Sequence, residues 1–404
     1  MQRAKEVGPE NVFDFSIGNP SVPAPKEVDE TAIRYLQTLD PVEIHGYTSN
    51  AGITEVRRSI AESLNRRFGT NYTENNIFMT IGAAAALGIC FRTLTDSPED
   101  EIITIAPYFP EYQVYAQGAG CKLVTVLADT STFQIDFEKL EKAVNEHTKA
   151  VLINSPNNPT GVVYSEETIQ KLADLLEEKQ KEYGHSIYII TDEPYREIAY
   201  DGFEVPHVPK YYKNTLIGYS FSKSLSLPGE RVGYIVAPTE AEDFENLIPC
   251  FIAAGRLLSY VSVPSLYQKV IGECVDLTSD ISIYQKNKDL FYNALIDMGY
   301  ECVEPGGAFY LFPKALEEDA NAFCERAKKY DLLIVPGDSF GCLDMSGFPT
   351  VYRPRESSRP CRCLKNSGMN INKRENVMSS WRDNVRKVEP YTQASSRRKK
   401  GSLN

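Results

Sequence analysis

No apolar run in this chain approaches the length of a membrane span, and the N-terminus lacks a signal-peptide hydrophobic region. Histidine is scarce, with 4 residues (His45, His147, His185 and His207) far apart in the sequence. The 9 cysteines are odd in number and form no CxxC pair; only Cys361 and Cys363 stand close together. These absences argue against a zinc-finger spacing and a disulfide framework, and they suit reduced thiols in the cytosol. Positive charge is also short, because 43 Lys and Arg face 55 Asp and Glu for a formal net of −12. An acidic chain is a poor candidate for nucleic-acid binding. The expectation is therefore a cytoplasmic protein with no metal and with neither nucleic acid nor membrane as partner.

What is present is 404 residues, enough for a large core and two lobes. The charge is unevenly spread: residues 343–404 hold 14 basic and 5 acidic side chains, a net of +9, which leaves −21 for the rest. Such a break marks a tail or a segment of different origin. Its Ser, Arg, Lys and Asn bias resembles disorder.

From about Thr54 the pattern is helical, with Val56, Ile60, Leu64 and Phe68 four apart. Short apolar runs then alternate with amphipathic ones. The strand candidates are Ile77–Thr80, Glu101–Ile105, Lys122–Val126, Ala150–Asn154, Ile187–Thr191, Leu216–Ser220 and Val232–Ala237. Phe137–Val144 and Glu166–Glu178 have helical spacing between them. Seven buried strands with intervening helices predict an α/β domain on a mostly parallel seven-stranded sheet, over residues 36–260. A smaller, discontinuous α+β domain is expected from 1–35 and 261–342.

In open α/β sheets, ligands bind where strands end and loops begin. "VLINSPNNPTG" places Asn154, Asn157 and Asn158 at such an end. "IYIITDEPY" ends with Asp192 and Tyr195. "LIGYSFSKSLSLPGERVGY" supplies Ser220, Ser222, Lys223 and Arg231. "MTIGAAAALG" passes through Gly82 into a helix whose free N–H groups form an anion site at Ala83 and Ala84. Each piece alone has a plainer reading: a turn or helix cap for Asp192, a solvated side chain for Lys223, ordinary core for Phe109 in "APYFPEY". Together they are what one aromatic, phosphorylated, carbonyl-bearing cofactor requires.

This set resembles the class I/II aminotransferases, pyridoxal-phosphate enzymes of fold type I, over roughly Phe15 to Gly341. The motifs that carry the resemblance are "NSPNNPTG", "TDEPY", "SFSKSLSLPGERVGY" and the "PGGAFYLF"-type strand. The resemblance implies that Lys223 holds pyridoxal 5′-phosphate as an imine and shuttles the proton at the substrate Cα. That role needs a lysine of lowered basicity. It implies that Asp192 pairs with the pyridinium nitrogen, and that Asn158 and Tyr195 hydrogen-bond the ring's phenolic oxygen. Phe109 is then the stacking platform, and Ser220, Arg231 and the N–H groups of Ala83 and Ala84 the phosphate cradle. Tyr47 in "HGYTSNAG" matches a tyrosine reaching the partner subunit's phosphate, which implies a homodimer with shared sites. Gly18 in "SIGNP" matches the loop that closes over substrate, a second role there falling to Asn158.

One expected residue is missing. The family grips the α-carboxylate of an amino acid or 2-oxo acid with an arginine in a "GYxRxSY"-like strand soon after "PGxSFG". Here "CLDMSGFPTVY" stands in that place. Read from the third base of the Cys342 codon, silent positions permit Pro-Gly-Tyr-Val-Arg-Ile-Ser-Tyr-Cys-Val, with the arginine codon straddling those of Ser346 and Gly347. The second base of eight of the ten shifted codons is fixed, with two options each at Leu343 and Ser346, so the agreement points to a single-base frameshift before residue 343, in the gene or its sequence record. The leading reading is an aminotransferase moving the amino group of an L-amino acid to a 2-oxo acid. The alternatives are a β-lyase on the same scaffold and a catalytically impaired cofactor-binding protein. Arg256 lies near the place of a side-chain-binding arginine in dicarboxylate-specific relatives, offset by one residue, and a surface role is its simpler reading.

Overall fold

The computed structural model describes residues 5–6, 8, 12–15, 18–315, 319–329 and 331–342, with the backbone of 350–351. The expected frameshift segment, 343–404, lies outside the described residues except for that backbone pair.

A short strand, β1 (Phe13–Asp14), comes first, and helices follow at Lys26–Thr38 and Thr54–Phe68. The chain then builds β2 (Ile77–Thr80), β3 (Glu101–Ala106), β4 (Lys122–Leu127), β5 (Thr148–Asn154), β6 (Tyr188–Asp192), β7 (Thr215–Ser220) and β8 (Gly233–Val236). These form one seven-stranded sheet in the order β2-β8-β7-β6-β5-β3-β4. Only β8 runs against its neighbours, pairing antiparallel with β2 and β7. The mostly parallel α/β architecture read from the sequence is therefore present. Because helices cover both faces, β2, β6, β7 and β8 are buried at every position.

Strand alternation divides the core between the two faces. Leu152, Ile190 and Leu216 join the core of helices Ala83–Leu94, Glu111–Ala119 and Phe244–Leu257. Val151 and Ile189 face the opposite core, with Ile169, Leu172 and Leu176 of helix Glu166–Tyr183. Ile217 and Tyr219 join a third, with Val56, Ile60 and Leu64. The helical stripe in 54–68 thus buries three of its four members and leaves Phe68 half-buried.

A separate core gathers Phe15, Val22, Tyr195, Tyr284, Phe309, Tyr310 and Leu332. It involves helices Ile281–Asp297 and Ala320–Lys328, β9 (Tyr310–Leu311) and β10 (Leu332–Leu333). β1 pairs in parallel with β10, so the N-terminal segment is tied to the last third of the chain. The backbone of β11 (Thr350–Val351) pairs antiparallel with β9. Val28 belongs instead to the core under helices 54–68 and Ser265–Cys274.

Candidate active site

Parallel pairing sets Asn154 opposite Asp192, and Asp192 opposite Gly218, so β5, β6 and β7 end on one edge of the sheet. β2 is reversed twice relative to β7, through β8, and so runs the same way and ends on that edge too. Helix 83–94 begins there immediately after Gly82. A cavity of 480 Å³ occupies this edge. Gly18, Ala83, Ala84, Phe109 and Asn158 line it, as do Asp192, Tyr195, Ser220, Lys223 and Arg231. Tyr47 does not: its side chain is 98% exposed, away from this chain's own cavity. Arg256, in the last turn of helix 244–257, is also exposed and outside the lining.

The three asparagines of "NSPNNPTG" separate into distinct tasks. Asn154 donates its amide to the Asp192 carbonyl at 2.7 Å, locking two strand ends together. Asn157 accepts from the Thr160 N–H and hydroxyl at 3.0 and 2.9 Å, shaping the turn. Only Asn158 lines the cavity. Its backbone N–H is held by Asn154 Oδ1 at 2.6 Å.

Asp192 is 5% exposed. Its Oδ2 accepts from the Tyr112 hydroxyl at 2.6 Å, whereas its Oδ1 is buried with no hydrogen-bond partner. Burial pushes this carboxyl up to about 7, with Tyr112 pulling the other way and Glu193 adding to the rise. Lys223 donates from Nζ to the Gly18 carbonyl at 2.7 Å. Burial, and then the positive Arg231, bring its amine down to about 8.

The helix start and Arg231 form the cationic end. The first turn of helix 83–94 carries no acidic residue, and Gly82 sits at φ +92°. That backbone conformation suits glycine, and a methyl group there would also lie 2.6 Å from Arg231 Nη2 and push the guanidinium aside. Arg231, itself at φ +56°, donates to the Pro228 and Ile81 carbonyls at 2.9 and 3.1 Å. Those bonds pin the guanidinium beside the free N–H groups of Ala83 and Ala84. Ser220 receives the Ser222 N–H at 3.1 Å and turns its strand end into the loop carrying Lys223.

Sequence reasoning missed three tyrosines. Tyr112 holds Asp192, while Tyr115 and Tyr310 line the cavity. The signal for Tyr112 was its position three residues after Phe109, in the first turn of the following helix. Tyr310 stood inside the quoted "PGGAFYLF" stretch.

The family model for aminotransferase class I and II matches residues 10–353. The chain belongs to that family. An aspartate aminotransferase of Thermotoga maritima is 33% identical over 336 residues, covering 82% of this chain and 84% of that one. A probable N-acetyl-LL-diaminopimelate aminotransferase of Bacillus subtilis is 31% identical over 343 residues, covering 82% of each. Among solved structures, an amino transferase from Eubacterium rectale aligns at 52% identity with a TM-score of 0.85, over 96% of this chain and 92% of that one. This aminotransferase is thus an enzyme that transfers nitrogenous groups, on the fold type I scaffold expected from its motifs. The family uses pyridoxal 5′-phosphate.

Proposed function

We propose that this aminotransferase holds pyridoxal 5′-phosphate in the 480 Å³ cavity and moves the amino group of an L-amino acid to a 2-oxo acid. The observation that carries the reading is the buried, unpartnered Asp192 Oδ1. Leaving such an acceptor unsatisfied costs roughly 1–3 kcal/mol, and a protonated ring nitrogen removes that cost. The rest of the lining agrees. Arg231 and the helix start suit a phosphate, Phe109 offers a ring face, and Lys223 is an amine of low basicity.

When bound, the cofactor supplies an electron sink for the bonds at the substrate Cα. The chain's own residues do the rest. Lys223 carries the cofactor and then moves the proton at Cα; at pH 7.5 about a quarter of an amine with this affinity is neutral, against roughly one in a thousand for an ordinary lysine. Asp192 keeps the ring nitrogen protonated. Asn158 and Tyr195 donate to the phenolic oxygen, and Ser220, Arg231, Ala83 and Ala84 bind phosphate. Gly18 and Asn158 border the substrate. The exposure of Tyr47 fits a residue that serves a second copy's site, and a homodimer is part of the proposal. So is a cytoplasmic location, from the odd and unclustered cysteines.

The substrate-carboxylate arginine is not in the present sequence, which favours slow turnover as the second reading. Absorbance spectra of the purified chain test both. A cofactor band that Lys223→Ala abolishes, and that amino acids bleach, supports the aminotransferase. A band that no amino acid changes supports the impaired binder. Release of ammonia and pyruvate without an oxo-acid acceptor would redirect the assignment to a β-lyase.

A further inference from the structure

Tyr310 borders the cavity beside Tyr195, which lines it as well. Its hydroxyl is hydrogen-bonded to that of Tyr195, and the two rings meet edge to face at 5.4 Å and 79°. Both side chains are 4% exposed. Two phenols that share one hydrogen bond leave one proton to be aimed elsewhere. If Tyr310 donates, the Tyr195 proton is free for the cavity. If Tyr195 donates, the cavity loses that donor.

We propose that Tyr310 is a positioning residue that donates to Tyr195 Oη and so turns the Tyr195 proton towards an anionic oxygen in the cavity. This inference rests on the cofactor reading, in which that anion is the phenolic oxygen of pyridoxal 5′-phosphate. The direction follows from cooperativity: hydrogen bonds in series polarise one another, so an anion on Tyr195 favours the chain Tyr310 to Tyr195 to anion.

The surroundings fix Tyr310 in place. A methyl group on Gly18 would lie 2.5 Å from Tyr310 Oη, so the N-terminal segment closes over that hydroxyl. The Gly18 carbonyl in turn accepts from Lys223 Nζ at 2.7 Å. Behind, Tyr284 stacks on Phe309 at 5.3 Å and 28°, and its hydroxyl accepts from the Ser21 N–H at 3.3 Å. One segment therefore touches the lysine and the tyrosine pair together.

The test is the pH midpoint of the bound cofactor's visible absorbance, in the full chain loaded with pyridoxal 5′-phosphate. Wild type, Tyr310→Phe, Tyr195→Phe and the double variant are compared; Asp192, Lys223, Arg231 and Tyr284, the polar groups around the pair, are common to all four. A donor to the phenolic oxygen favours the deprotonated, more anionic form. Tyr310→Phe should therefore raise the midpoint by a few tenths of a pH unit, the cooperative share of one hydrogen bond. Tyr195→Phe should raise it further, and the double variant should match Tyr195→Phe alone. An unchanged or lowered midpoint in Tyr310→Phe overturns the proposal, as does a Tyr310→Phe shift that persists in the Tyr195→Phe background. Should Tyr310→Phe not fold, Gly18→Ala carries the test, since it displaces the hydroxyl without removing it and should shift the midpoint the same way. A wild-type chain with no band, or a band that survives Lys223→Ala, defeats the cofactor reading itself and this proposal with it.

Discussion

Asp192→Asn in the cofactor-free protein isolates the site's most costly group. The native carboxyl titrates at about 7 instead of 3.8, and burial is the main cause. Well below pH 3.8 both folded and unfolded states hold the proton. As pH rises towards 7 the unfolded chain ionises while the native carboxyl stays protonated, so wild-type stability falls across that window and levels off above it. The full loss on going from acid to alkaline pH is roughly 4 kcal/mol, of which about 2.6 kcal/mol falls between pH 5 and 8. Asparagine keeps an acceptor for the Tyr112 hydroxyl and has nothing to titrate. All other ionisable groups are common to both proteins and cancel in the difference.

Thermal melts of both proteins from pH 5 to 9, freed of cofactor, supply the measurement. The variant's melting temperature relative to wild type should climb by about 3–5 °C between pH 5 and 8 and then hold. Adding pyridoxal 5′-phosphate should remove most of that climb, because a ring N–H on Asp192 Oδ1 restores the carboxylate. A difference that stays flat with pH, or that falls, would show that Asp192 ionises normally and that its unpartnered oxygen costs nothing.

Arg231→Met removes the positive neighbour that helps hold the Lys223 amine at about 8. The pH midpoint for cofactor capture, followed by absorbance, should move upward, and an unmoved midpoint would assign the whole effect to burial. Arg196 donates from Nε to the Glu193 carboxylate, with the pair 7% and 3% exposed. Arg196→Met leaves that carboxylate buried without its cation, holding only the Thr191 hydroxyl, and should cost roughly 3–5 kcal/mol in thermal or denaturant unfolding; a loss below about 1 kcal/mol would mean the pair is not needed. Resequencing the gene across the Cys342 codon should find one base missing or extra. Expressed in the restored frame, the protein should turn over amino acids at least about 100-fold faster, the worth of a bidentate carboxylate grip.

The strands were legible because stretches of four to seven residues, mostly apolar or β-branched and bounded by turn residues, have few other uses. β2 falls on the expected limits, Ile77–Thr80. β6 is shifted by one residue from the expected Ile187–Thr191: it begins at Tyr188 and ends at Asp192, which still pairs with Gly218 through its backbone. Helix 166–183 outruns its stripe to the left-handed Gly184, at φ +73°. The asparagines of "NSPNNPTG" could not be sorted from sequence, since which one faces the cavity depends on where the Asp192 carbonyl and Thr160 lie. Tyr310 was unreadable for another reason. "AFYLF" is apolar at every position, so no alternation marks the member whose hydroxyl reaches Tyr195.

The described site is uneven in a way that bears on function. Most of what surrounds Asp192, Lys223 and Arg231 comes from one sheet edge between Gly82 and Arg231, closed by Gly18, Tyr310 and the segment that carries Val335, Ser339 and Phe340. In the proposed reading, the carboxylate grip would come from the sequence after residue 342, which lies outside the described residues apart from the backbone of 350–351. On the proposed reading, holding a cofactor and orienting a substrate are separable tasks, which the two sequences can test. If, as proposed, capture of the cofactor rests on the Lys223 amine and the Arg231 end, its pH midpoint should be the same in the present and the restored sequence. Turnover depends on fixing Cα against Lys223, where a misplacement of about 1 Å costs on the order of 100-fold. Equal capture midpoints with unequal turnover would place the defect in orientation alone. If the capture midpoints differ as well, the last strand must also shape the burial of Lys223, and the two halves of the site are not independent.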